Sequence, residues 1–261
     1  IDNAGKDLVM TIKNSGSSWS EVNPETDALM ESSLSAYGTL FAADDLFVDT
    51  VLRSRNGGHD GFFAAARTGK WDLDSRGDTD STIVSGLMGY AARSGQTEFG
   101  GFVEMGHATY DVATRTDLAK ASGDGKHNYA GVGVYVNQSL PVEGWKVTGY
   151  VKGGAFSNRY DAQLAGATTE LDRTRAYWGA HLGTHFDYRV SKLRGRAFLS
   201  YFYDGMDSMS FNVKGQGGTE GARFEYDALN AHRVQLGSLF EYDYSPTHRP
   251  YFGLAIEQTV S

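Results

Sequence analysis

The 261-residue chain has no cysteine and only four prolines. Without cysteine there is no disulfide framework, no thiolate nucleophile and no Cys-ligated metal. No stretch approaches the roughly eighteen consecutive apolar residues of a transmembrane helix. Positive charge is also scarce. Lys and Arg number 24 against 32 Asp and Glu, a net charge of −8. With no basic run to offset it, that balance argues against a nucleic-acid partner. GxSxG, HExxH and P-loop motifs are missing too. The chain opens at Ile1 without a signal-peptide pattern, so an export signal is expected to lie elsewhere.

Glycine and aromatics are abundant, with 33 Gly, 15 Tyr and 14 Phe. The mean hydropathy of −0.40 fits a soluble β protein and a membrane barrel equally, because the hydropathy signal of a barrel strand is weak. Alternation says more. In RTRAYWGAHLGTHFDYRV (173–190), Ala176, Trp178, Ala180, Leu182, Phe186 and Tyr188 share one parity. Arg175, Tyr177, His181, His185 and Asp187 share the other. An extended strand places these sets on opposite faces.

Residues 25–54 have a different rhythm. Leu29, Leu34, Tyr37, Phe41, Leu46, Val48 and Leu52 recur at helical spacing, with Glu31, Asp44, Asp45 and Asp49 between them. Asn23 suits an N-cap and Pro24 a first helical position. The spacing predicts a helix over 25–54, about 45 Å long if fully helical. Before it, DLVMTIK (7–13) reads as a strand and 14–24 as a polar linker.

From residue 58 the period is two, and about nine strands are expected. They cover 58–73, 81–93, 97–112, 127–138, 145–157, 174–188, 194–205, 230–244 and 249–260. These runs exceed the usual soluble strand of about five or six residues. Their connections alternate long and short, so an up-and-down antiparallel array gathers all long ones at one end. Outer-membrane barrels have that asymmetry, with short periplasmic turns and longer extracellular loops. The apolar faces are therefore expected in lipid and the charged faces around a hydrated lumen. A soluble sandwich or lipocalin-like barrel shares the alternation, but strand length and loop asymmetry disfavour it. Segments 207–213 and 222–228 are expected to extend the flanking strands beyond the membrane.

This order of parts resembles the C-terminal β-barrel translocator domain of autotransporters (type V secretion). The helix 25–54, the strand GFFAAARTGKW, the strand EFGGFVEMGHATY and the hairpin VQLGSLFEYDYSPTHRPYFGLAIEQ carry the resemblance. It implies an all-β fold, a transmembrane up-and-down antiparallel barrel of about twelve strands with an N-terminal α-helix in the pore. The implied organisation is a passenger stub and linker over 1–24, a pore-spanning helix over 25–54 and the barrel over 58–261. Counting leaves the last strand, ending at Ser261, on the extracellular side. About three closing strands, or something replacing them, are then expected to be missing from this sequence.

The implied function is export and surface anchoring of an N-terminal passenger by a non-enzymatic translocator of the bacterial outer membrane, its pore plugged by the helix. A porin or small-molecule channel is the alternative, and an outer-membrane protease or lipase a more distant one. Expected partners are the bilayer and its outer-membrane lipids, the passenger, and the barrel-assembly machinery during insertion. The barrel is expected to be monomeric. Some members of the family cut themselves at an Asn-Asn bond in this helix; 25–54 contains no Asn, so that cleavage is not expected.

Inward parity nominates Arg67, Lys146, Lys152, Arg175, His181, His185, Arg196, Arg233 and Glu241 as pore-lining residues. Asp44, Asp45 and Asp49 of the helix are expected to pair with those cations, screened weakly in a narrow pore. His181, His185 and Asp187 could in principle gather a metal, but solvation of a polar lumen explains them. No metal, cofactor or catalytic residue is assigned.

Overall fold

The computed structural model describes residues 24–51, 60–74, 77–115, 120–164, 167–213, 222–226, 229–243 and 251–260. Helix α1 spans Pro24–Asp49 and closes in a π-type turn at 50–51. The strands are β1 (Gly61–Asp74), β2 (Gly77–Ser94), β3 (Thr97–Arg115), β4 (Lys120–Ser139), β5 (Trp145–Leu164) and β6 (Ala167–Val190). They continue with β7 (Leu193–Met206), β8 (Met209–Val213), β9 (Ala222–Tyr226), β10 (Leu229–Tyr242) and β11 (Tyr251–Val260). The expected strand at 7–13, and residues 52–54 of the expected helix, lie outside the described residues.

Nine strands form one antiparallel sheet in the order β1-β2-β3-β4-β5-β6-β7-β10-β11. This is the up-and-down meander that the alternating connections imply. The sheet curls around α1, which packs along the inner faces of β1 to β5. Among the described residues, β1 and β11 are its two ends.

The distribution of polarity is inverted relative to a water-soluble protein. Val132 (63% exposed), Leu182 (62%) and Ile256 (67%) point outward, while Arg233 (0%) and Lys152 (6%) are buried against the helix. Val84, Met88, Val103, Met105, Val134, Val151, Leu199 and Leu236 continue the outer apolar surface. An uncovered apolar belt of this extent needs an apolar solvent. Aromatics border it near the short turns. Phe62 and Tyr90 meet edge-on at 5.0 Å, and Trp145 and Phe186 lie 5.4 Å apart. Such rings suit the level of the lipid headgroups.

Two expectations about the connections need correction. The segments 113–126 and 158–173 are mostly strand, not loop. β3 and β4 pair up to Arg115↔Lys120, and β5 and β6 up to Leu164↔Ala167. Here both faces are polar, so the apolar period that marks a strand in sequence disappears. The backbone ladder continues because each strand already has an in-register neighbour. Side-chain contacts support it, with the Tyr110 ring lying over Gly125 and the Tyr160 ring over Gly123, where any Cβ would collide with them. On the outer face Asp72, Asp80, Asp111, Asp124 and Asp161 are successive Cα partners across five strands. Carboxylates do not belong in hydrocarbon, so this row marks where the sheet has left the lipid. The second correction concerns 207–213 and 222–228. Within them β8 and β9 pair with each other as a separate two-stranded ribbon and do not lengthen β7 and β10.

Candidate functional site

The helix meets the inner wall in three tiers. Nearest the long hairpins is a hydroxyl tier. The Ser32 hydroxyl lies 2.8 Å from the Tyr110 hydroxyl, which donates to Asn158 Oδ1 at 2.7 Å. Asn158 Nδ2 donates back to Ser32 Oγ at 3.2 Å. Ser35 Oγ sits 2.7 Å from His127 Nε2 and donates to the Ser32 carbonyl at 2.9 Å. Small hydroxyl side chains let the backbone of α1 approach the wall while satisfying its buried polar groups.

The middle tier is ionic and centres on Asp44, which is fully buried. Its Oδ1 accepts from Lys152 Nζ at 2.6 Å and from the Tyr150 hydroxyl at 2.5 Å. Its Oδ2 accepts from Arg233 Nη2 at 3.2 Å. Arg233 Nη1 reaches Asp45 Oδ1 at 3.0 Å and Glu257 Oε2 at 2.8 Å. The guanidinium lies over the rings of Phe41 (4.5 Å) and Phe202 (4.1 Å), a cation–π arrangement that favours charge away from water. Lys152 is shared with Glu104 Oε1 at 3.2 Å, which also accepts from the Tyr177 hydroxyl at 2.7 Å. Two cations from β5 and β10 thus clamp one carboxylate of the helix. Asp204 is also buried here, and among the described residues neither of its oxygens has a hydrogen-bond donor.

The third tier is aromatic. Phe47 packs against Phe102 (4.5 Å), Tyr150 (4.7 Å) and Tyr135 (5.5 Å), with Leu46, Val48 and Val51 completing the cluster. It lies towards the short-turn end, so α1 runs from the long hairpins towards the short turns.

The structure brings some nominated residues together and sends others elsewhere. Lys152 and Arg233 meet Asp44, Arg233 also meets Asp45, and Arg67 meets Asp49 at 3.7 Å with both side chains half-exposed. Lys146 and Arg196 have a shared partner on the wall itself. Both pair with Asp187 of β6, Lys146 at 3.1 Å. Arg196 is the Cα partner of Asp187, so a counter-charge stands beside it on the wall. Arg175 is buried, and its Nε and Nη2 lack hydrogen-bond partners among the described residues. His181 stacks between Tyr150 (5.1 Å) and Phe202 (4.7 Å), and His185 is buried near Arg196. Glu241 lines an open cavity at the short-turn mouth with Asp187, Arg194 and Arg196. No group of three metal-ligating side chains occurs among the described residues.

Glu104, Tyr150, Tyr177 and Glu257 belong to the ionic tier and were not nominated. Their inward parity was visible in sequence. What was missing was the height at which each strand crosses α1, which depends on strand stagger and helix register together.

The sheet thus carries an apolar outer belt and winds around a buried helix. Residues 60–261 match the model of the Autotransporter beta-domain. The chain belongs to the autotransporter β-domain family. Its fold is similar to the translocator domain of autotransporter NalP from Neisseria meningitidis, with a TM-score of 0.63, 14% identity, and coverage of 88% of this chain and 78% of that one. The β-domain of the Bordetella autotransporter BrkA gives a TM-score of 0.56 and 14% identity, over 77% of this chain and 80% of that one. No curated protein matches the chain. This autotransporter β-domain is therefore an outer-membrane translocator domain, and its apolar belt is the surface that this location requires.

Proposed function

We propose that the domain exports and anchors an N-terminal passenger at the cell surface and that α1 seals the pore afterwards. The observation that carries this reading is the ionic tier. Asp44, on the helix, is the shared counter-ion of Lys152 and Arg233 on the wall. A helix held by buried charge stays in place, because removing one partner strands the others away from water. The polarity of α1 fits the same reading. Its N-terminus lies towards the long hairpins, so residues 1–24 would continue outward as the passenger stub and linker. Residues 25–54 act as the plug and 58–261 as the wall. In this reading the nominated inward residues, from Arg67 to Glu241, line the translocation path. The domain works without catalysis, as a monomeric barrel inserted with the help of the barrel-assembly machinery. A passive porin would not need an interior filled by a helix.

Planar-bilayer recording tests the plug. Deleting 24–51 should raise single-channel ion conductance well above that of the intact chain. Equal conductance with and without the helix contradicts sealing by α1.

A further inference from the structure

The ionic tier holds the helix through long, flexible Lys and Arg side chains, which accommodate axial shifts of a fraction of a turn. Something stiffer is needed to define where the helix stops. Gly38 is the lone glycine between residues 24 and 51. It sits among good helix formers such as Ala36 and Leu40, where glycine carries a cost relative to alanine. The structure shows what that cost accompanies. The Trp71 ring of β1 lies against the helix backbone at this point, and a Cβ at residue 38 would fall inside the van der Waals boundary of the ring. Phe41, Ala42 and Ile83 line the same recess.

We propose that Trp71 and Gly38 form a stop that fixes the axial register of the helix in the pore, with Trp71 as the positioning residue. A shift of one turn moves the helix by about 5.4 Å. It would bring Leu34, Ser35, Phe41 or Ala42 under the indole, and each carries a Cβ. The same shift replaces Asp44 by Leu40 or Val48 and leaves Lys152 and Arg233 facing an apolar side chain. The notch and the ionic clamp therefore agree at one register and disagree one turn away. Packed ring against backbone is a bistable contact, not a continuously deformable one. In this mechanism outward movement of the helix ends when Gly38 reaches Trp71.

The inference rests on the reading of α1 as a plug, and its test separates the two. The chain has no native cysteine, so paired substitutions report position without background. In the full chain in lipid, Ser35→Cys with His127→Cys reports the observed register, since those side chains are 2.7 Å apart. Glu31→Cys or Thr39→Cys with His127→Cys reports a shift of one turn either way. With a short thiol-specific cross-linker, the 35–127 pair should dominate in the parent. Gly38→Ala should lower the ratio of in-register to shifted product by roughly tenfold, as overpacking against the ring requires. Trp71→Ala in the Gly38→Ala background should restore the 35–127 product, and Trp71→Ala alone should let shifted products appear. An unchanged 35–127 preference in both single variants overturns the stop. Loss of sealing would show instead in conductance, with the cross-link position unaffected.

Discussion

At the scale of single residues, the inner wall is a set of charges whose value depends on their partners. Asp44→Asn keeps the shape but leaves Lys152 to its pair with Glu104, and Arg233 to Asp45 and Glu257. Charge-assisted hydrogen bonds in buried settings support a loss of about 2–3 kcal/mol in helix docking. That is roughly thirtyfold or more in the docked-to-undocked ratio, and the open fraction in bilayer recordings should rise accordingly. The cations of this clamp were legible in sequence, because Lys152 and Arg233 have inward parity and Asp44 interrupts an apolar helix stripe. Its second carboxylate was not. Glu104 looks like one of many solvating inward residues until Lys152, on a non-adjacent strand, leans across to it. Arg196 shows the reverse case. Its parity was legible, but its ion pair with Asp187, the direct cross-strand partner on the wall, was not singled out.

At the scale of elements, the helix was readable almost to its ends, because an apolar and acidic pattern at helical spacing has no good β alternative. The hairpins were readable only where one face is apolar. Beyond the lipid, β3 to β6 carry polar residues on both faces, and period-two logic falls silent although the ladder continues. The outward aspartates are consequential here. Asp111 and Asp124 are direct Cα partners, an unfavourable like-charge pair. Asp124→Asn should therefore stabilise the β3–β4 hairpin by roughly 0.2–1 kcal/mol. Hydrogen exchange of the hairpin amides should slow at low ionic strength, and the gain should fade as salt screens the pair.

At the scale of the whole molecule, the protein is inside-out. Its outer apolar side chains face the bilayer, and Lys152 and Arg233 of the inner wall are neutralised against a helix that the same chain provides. The meander, the outer belt and the inward charges all follow from two periods, two residues per strand repeat and 3.6 per helical turn. How the two sets meet does not, because it depends on the stagger between non-adjacent strands. Spin labelling along β7 tests the arrangement most directly, since a cysteine-free chain takes one label per substitution. Labels at 197, 199, 201 and 203 should be quenched by lipid-dissolved oxygen and shielded from a polar paramagnetic quencher. Labels at 200, 202 and 204 should be shielded from both, and should become accessible to the polar quencher when 24–51 is deleted. Polar access at the first set, or no change at the second on removing the helix, would contradict a lipid-facing belt closed around a plug.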